Sequence, residues 1–338
     1  MYHPILTFKL EMSGVAKFTE SCLGLAEADK VFKIDILIGK EALLCLGNAD
    51  FLVEWDKLYE ACPWSTIFQK REFVTPWFRL FNTTHLAIIV KAELEGQLLG
   101  LLTLTKAVHG KIIMAAGLGG AEYQTWLATP MFGESFIKEA LRKLQLIFPE
   151  HSINFYNTPP GTPLSWTTTD SNWRKQCVLK PLKRPLMDLN NPDVSKLFRK
   201  KQFREKLNRL KRLGEVTFER ITDQEHFAVI LDDLAEQSDF RKGGRYNHIE
   251  YRNEPARKQF LIELFNHNIL HVTVLKLDGQ IIASIAAATG KNWVHLAGLN
   301  THSTIYSKYS PGLLNFIMLG QLLMTEGTLM FDLTPGGD

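Results

Sequence analysis

Four side chains in this 338-residue sequence stand where they could move protons. Asp332 ends a short apolar run, Met330-Phe331-Asp332. His295 lies inside the stretch Trp293-Val294-His295-Leu296. Tyr309 directly precedes Ser310-Pro311-Gly312, and Glu122 precedes Tyr123. A carboxylate or an imidazole can serve as general base, and a phenol can donate to a developing anion. Each also has a plainer use. A strand-end Asp commonly caps a turn, and a strand His is commonly a core residue with its hydrogen bonds satisfied.

A second set of residues could hold ligands. Ser310-Pro311-Gly312-Leu313 reads as a helix start, with Ser310 as cap, Pro311 at the first position and Gly312 offering room. The free N–H groups of such a start favour phosphate, although a helix start with no ligand is the default. Between Ser195 and Arg212, nine Lys or Arg stand against Glu205, a local +8 in a chain of net +3, so the remainder carries −5. Phe203, Leu207 and Leu210 fall on one helical face, with Ser195 as cap and Gly214 as stop. A charge run is usually a solvated face, but self-repulsion at i,i+4 would be relieved by an anion, with Lys201 and Arg204 as its contacts. Tyr123 and Trp126 are candidates to touch a substrate. Trp126, with Trp166, could form a sugar or acyl platform, although aromatics are core by default.

Several classes are disfavoured. The four cysteines (22, 45, 62 and 177) form no CxxC pair and suggest neither disulfides nor zinc. His267 and His271 lack the glutamate of a zinc-peptidase motif. Gly117-Leu118-Gly119-Gly120 lacks dinucleotide-binding spacing, and no Walker lysine appears. The longest apolar run, Leu313 to Met324, is too short for a bilayer, and no signal-peptide core is visible. The expectation is a cytoplasmic protein, with a peripheral place at the inner membrane left open.

The elements that must position these residues are repeated. Leu86 to Gly117 and Leu270 to Gly298 each read as three apolar runs joined by turns. The first turns, Glu95-Gly96-Gln97 and Asp278-Gly279-Gln280, match and predict hairpins. A helix starting at Pro130 or Pro311 follows, then a short strand and a Pro/Gly turn. Matched positions drift from 183 apart (Gly96, Gly279) to 176 (Phe155, Phe331). The expected fold class is α/β (α+β): tandem domains at 1–180 and 181–338, each a mixed, mainly antiparallel sheet flanked by helices. The stretch holding Pro181, Pro185 and Pro192 leads from one to the other.

Meander, loop, helix and strand is the core order of the GNAT fold. The chain resembles CelD-type acetyltransferases of cellulose and exopolysaccharide synthesis, which are GNAT-like and related to the FemAB transferases. The resemblance rests on Trp55 to Phe81 with Phe68-Gln69, on Glu122-Tyr123, and on Lys200-Lys201-Gln202-Phe203-Arg204 running to Leu213-Gly214. It continues in Tyr309-Ser310-Pro311-Gly312, Phe331-Asp332 and Gly336-Gly337-Asp338. Two departures stand out. The family pattern continues beyond the point where this sequence stops, and its Arg-Trp pair is replaced by Gln237-Ser238-Asp239-Phe240-Arg241-Lys242.

The resemblance implies an acetyl-CoA or other acyl-CoA co-substrate held at Ser310 to Leu313, and no metal. Asp332 would assist deprotonation of an amine or hydroxyl of a sugar, polysaccharide precursor or lipid. Tyr309 would serve the leaving thiolate, His295 would face the split between strands, and Glu122 would hold Asp332's place in the first copy. Lys201 and Arg204 would hold an anionic part of the acceptor. The alternatives are a Fem-like enzyme using aminoacyl-tRNA, a non-catalytic subunit of a polysaccharide system, and long-chain acylation in lipid synthesis.

Overall fold

The computed structural model describes residues 3–12 and 32–333; Cys22 and the Gly336-Gly337-Asp338 motif lie outside the described residues. In chain order the first elements are β1 (His3–Met12), β2 (Lys33–Ile38), α1 (Lys40–Cys45), α2 (Ala49–Ala61), α3 (Arg71–Phe81), β3 (His85–Leu94) and β4 (Gln97–Ala107). Then come β5 (Ile112–Ala115), β6 (Leu127–Ala128), α4 (Gly133–Ile147), β7 (Ser152–Thr158), α5 (Trp166–Thr169), α6 (Ser171–Arg174) and β8 (Cys177–Asp188). The chain continues through α7 (Pro192–Phe198), α8 (Lys201–Lys211), β9 (Val216–Ile221), α9 (Gln224–Tyr246), α10 (Glu250–Asn253) and α11 (Ala256–Asn266). It closes with β10 (Leu270–Leu277), β11 (Gln280–Gly290), β12 (Trp293–His302), α12 (Pro311–Thr325) and β13 (Met330–Asp332). Two compact units result: Leu6–Leu182, and Lys183–Asp338 together with Met1–Ile5.

Each unit carries the expected meander, and the strand orders correspond. The N-terminal unit runs β2-β3-β4-β5-β7-β1 and the C-terminal unit β9-β10-β11-β12-β13-β8. The last meander strand pairs in parallel with the strand after the helix in both, β5 with β7 and β12 with β13. The hairpin turns work as the sequence suggests. Glu95-Gly96 and Asp278-Gly279 all have positive φ, which twists the turn to suit the strands. The duplication is also written in the irregularities. Ala92 pairs with Gly100 and Glu93 with Leu98, so Leu99 bulges. Leu275 pairs with Ala283 and Lys276 with Ile281, so Ile282 bulges at the matching position.

Three local expectations need correction. The basic segment is two helices, α7 and α8, parted at Arg199-Lys200. The cap of the first is Asn191, whose side chain accepts from Asp193 N, not Ser195, because Pro192 already occupies the first helical position. The proline-rich passage forms β8, whose Leu186–Asp188 pair with β13. The match of Phe155 to Phe331 shifts as well. Met114 faces Asn154 in one unit where His295 faces Asp332 in the other, so Asn154 is the counterpart of Asp332.

Candidate active site

In the C-terminal unit, β12 and β13 pair only from Trp293–His295 with Met330–Asp332. There they part. Leu333 N donates to Pro185 O on β8 (3.1 Å), so the chain after Asp332 follows its other neighbour. On β12, Ala288 pairs with His295 but Ala287 pairs with Gly298, so Leu296-Ala297 form a two-residue bulge at the same level. A bulge at the edge of a pairing re-aims the side chains beside it. Phe331 stacks on Phe316 of α12 at 5.2 Å, so the alternation of a strand turns Asp332 to the opposite face.

Asp332 is fully buried and held from two sides. Arg184 Nε donates to its Oδ1 (2.9 Å), and His295 Nδ1 lies 3.1 Å from its Oδ2. A buried carboxylate requires such partners, because an isolated charge there would be strongly penalised. The arrangement reassigns roles. Asp332 is committed to a guanidinium and an imidazole, which suits it to orienting His295 rather than to taking a proton itself. The pairing of a base with a group that fixes its ring is the geometry that proton-moving histidines use. Arg184 escaped sequence reasoning because it sits in the supposed linker, and only the pairing of β8 with β13 brings it to Asp332.

At the other end of β12 lies the start of α12. Pro311 occupies the first position and Ser310 the cap position, as expected, but the Ser310 side chain makes no capping hydrogen bond. Its backbone is left-handed (φ 56°, ψ 52°), and its hydroxyl accepts from Lys206 Nζ at 3.0 Å. The space at Gly312 has a packing cause too: a Cβ there would lie 3.2 Å from the His302 ring. Leu313 is partly exposed. Lys206 follows the apolar face of α8, where Leu207 and Leu210 meet Leu314 and Tyr309 in one cluster. That flanking position is the signal that could have singled it out. Lys201 and Arg204 point to solvent, and Lys201 lies 3.7 Å from Glu205 with 83% of its side chain exposed.

Tyr309 is at this end of the strand, half-buried against the α8–α12 cluster. Five residue steps of β11, Ala288 to Ala283, separate the partners of His295 and His302, roughly 17 Å at ~3.4 Å per residue. Tyr309 packs in the cluster that holds Ala283 and Leu314, at the His302 end of β12.

The N-terminal unit differs at the corresponding place. Twelve residues lie between Met114 and Leu127, where five lie between His295 and Thr301. The longer loop folds into the split. Gln124 N donates to Tyr156 O and Tyr156 N to Gln124 Oε1, both at 3.1 Å, so Gln124 takes the place of a strand residue beside β7. Glu122 lies in this loop, ahead of α4, not after it, so it is not the counterpart of Asp332. Tyr123 is buried against Phe68, and its carbonyl accepts from Gln69 Nε2 at 2.9 Å. Trp126 is fully buried: its indole donates to Gly133 O (2.9 Å), its carbonyl accepts from Trp64 (2.7 Å), and its ring meets Phe155. Neither is a substrate platform, because both are core. Trp166 is likewise buried against Trp173.

Among the described residues no group of three or more His, Cys, Asp or Glu could hold a metal ion, and no helix is long and apolar enough to cross a membrane. Among curated protein sequences none matches the chain. Solved structures share its fold. FemX is 11% identical over 85% of this chain and 89% of its own, with a TM-score of 0.55. The C-terminal DUF2156 domain of a protein described as a lysylphosphatidylglycerol synthetase, from Agrobacterium fabrum, is 17% identical over 83% and 77%, with a TM-score of 0.53. L-PGS from Bacillus licheniformis is 14% identical over 85% and 78%, with a TM-score of 0.50. The profile of the acetyltransferase (GNAT) domain family matches residues 198–338. The chain thus carries an acyltransferase domain of the GNAT type within a duplicated GNAT-like fold.

Proposed function

We propose that the C-terminal unit takes an acyl group from acyl-CoA and passes it to an amine or hydroxyl of a glycan or glycan precursor, as the resemblance to CelD-type enzymes implies. The carrying observation is the His295–Asp332 pair at the point where β12 and β13 part. The donor's phosphates lie at the start of α12, where free N–H groups and Lys206 Nζ attract them. Its extended arm runs along the split toward His295. There His295 removes the acceptor's proton, Asp332 holds the ring, and Arg184 holds Asp332. Exclusion of water around these buried groups strengthens each interaction.

The filled split of the N-terminal unit supports a single donor site per chain, in the C-terminal unit. Calorimetry of the full-length chain with acetyl-CoA and a long-chain acyl-CoA tests the reading. No heat with any CoA species, and no CoA release with an amino-sugar acceptor, would sink it.

A second reading keeps the fold and takes aminoacyl-tRNA as donor. It is favoured by Lys200, Lys201, Arg204, Lys211 and Arg212, all exposed on or next to the helix that reaches Ser310. Steeply salt-dependent tRNA binding, with aminoacyl transfer in place of CoA turnover, would establish it. The names of FemX and of the lysylphosphatidylglycerol synthetases belong to this reading, with lipid as a further acceptor class.

A further inference from the structure

The C-terminal unit carries a groove of about 620 Å³ between α9, the β10–β11 turn and the loop after β12. Apart from His302, its walls use none of the residues placed at the acyl group or the phosphates. Phe240 lines it with 71% of its surface exposed. An exposed phenyl ring is a stacking surface for a flat C–H face. Asp233 and Glu236 project from the same wall, and neither has an ion-pair partner among the described residues. The charge of Lys276 is already engaged by Glu219 at 2.7 Å. The groove is therefore net negative and repels phosphates and nucleic acids.

Gln237 adds a hydrogen-bonding demand. Its Nε2 donates to Ile281 O (3.2 Å), while its Oε1 is buried without a partner among the described residues. A buried acceptor in that state calls for a donor from water or a ligand. Asp233, Glu236, Lys276 and Gln280 stand among the apolar parts of the walls, and a lipid tail there would bury them at a cost.

We propose that this groove binds a phosphate-free oligosaccharide bearing free amines, an amino-sugar chain. A sugar face stacks on Phe240, a hydroxyl satisfies Gln237 Oε1, and an ammonium group pairs with Asp233 and Glu236. His302, on the groove wall, is roughly 17 Å from His295 along the sheet. The site therefore holds a stretch of chain, not only the reacting unit. Its role as part of the acceptor site rests on the acyl-transfer reading.

The test is calorimetry with the full-length protein and four probes: a glucosamine tetramer, an N-acetylglucosamine tetramer, a mannuronate tetramer and tetralysine. Both glucosamine-based tetramers are expected to bind, the free-amine form more tightly, and the mannuronate not at all. Phe240→Ala, at an exposed position, should weaken both about tenfold. Asp233→Asn with Glu236→Gln should bring the free-amine tetramer down to the affinity of the acetylated one. Absence of saccharide binding at millimolar ligand, indifference to these variants, or equal binding of the mannuronate overturns the proposal. So does tetralysine binding that survives Phe240→Ala while the saccharides fail, which marks a basic-peptide site. Acyl-CoA is titrated into the same samples. Donor binding without saccharide binding rejects this groove alone, and the reverse rejects the donor reading alone.

Discussion

His295 Nδ1 and Asp332 Oδ2 stand 3.1 Å apart on two parallel strands that separate at that level. The pairing fixes one ring nitrogen of His295 by a carboxylate that Arg184 holds in turn. His295→Gln is expected to lower kcat by about 10²–10⁴-fold, the usual worth of general base catalysis. Donor affinity should stay within about twofold, because the proposed phosphate site is at the other end of β12. A loss of acyl-CoA binding equal to the loss of turnover would show a structural role instead.

Arg184 and Asp332 form an ion pair with no solvent exposure on either side chain. Removing one partner leaves a buried charge, so Arg184→Met should cost about 3–5 kcal/mol in urea unfolding. Replacing both, with Asp332→Leu added, should cost less than the sum of the single changes. Simple additivity would mean that the two groups do not act as a pair.

Lys206→Ala removes the hydrogen bond that α8 makes with Ser310 Oγ. Its acyl-CoA affinity should fall about five- to tenfold and depend less on salt. Lys201→Ala, at a solvent-facing position on the same helix, should leave affinity unchanged. Equal effects of the two would assign binding to the general charge of the helix rather than to Lys206.

Trp126 is part of the core of the N-terminal unit, two residues after Gln124. Trp126→Ala should destabilise by about 3–5 kcal/mol without changing donor affinity. Titration of the parent chain should give one acyl-CoA per molecule, and a value near two would refute the asymmetry.

Burial holds the imidazole of His271 below its usual value, against the opposite pull of Glu326 at 2.9 Å. The unfolded chain takes up this proton near pH 6.5, while the folded chain resists it. Stability is therefore full above that value and declines as the pH falls through it. His271→Gln should flatten this part of the acid limb, as read from unfolding free energies between about pH 8 and 5. An unchanged slope would locate the acid sensitivity elsewhere.

How much of this was legible followed from range along the chain. The turns at Glu95-Gly96 and Asp278-Gly279 are local devices, so the sequence displays them and with them the duplication. The inward face of Phe203, Leu207 and Leu210 is a matter of helical spacing and was equally visible. Arg184 with Asp332 spans 148 residues and Lys206 with Ser310 spans 104, and no local pattern announces either. Tyr123 and Trp126 misled for the opposite reason. They lie among polar loop residues, but their loop is drawn into the sheet by Gln124, which buries them. Ser310 has the composition of a cap, but its hydroxyl is engaged by a lysine from a distant helix.

The place of Gln124 has a thermodynamic consequence. The N-terminal unit completes its split with its own chain and has nothing to gain there from a ligand. Under the proposed function the C-terminal unit takes its donor at the corresponding place, and such binding would add to its stability in proportion to ln(1 + [L]/Kd). Heating with and without acyl-CoA should therefore move the melting of the two units apart: ligand raises the transition of one and leaves the other where it was. A pair of domains built on one plan would then differ in whether the last piece of the sheet is encoded in the gene or drawn from solution.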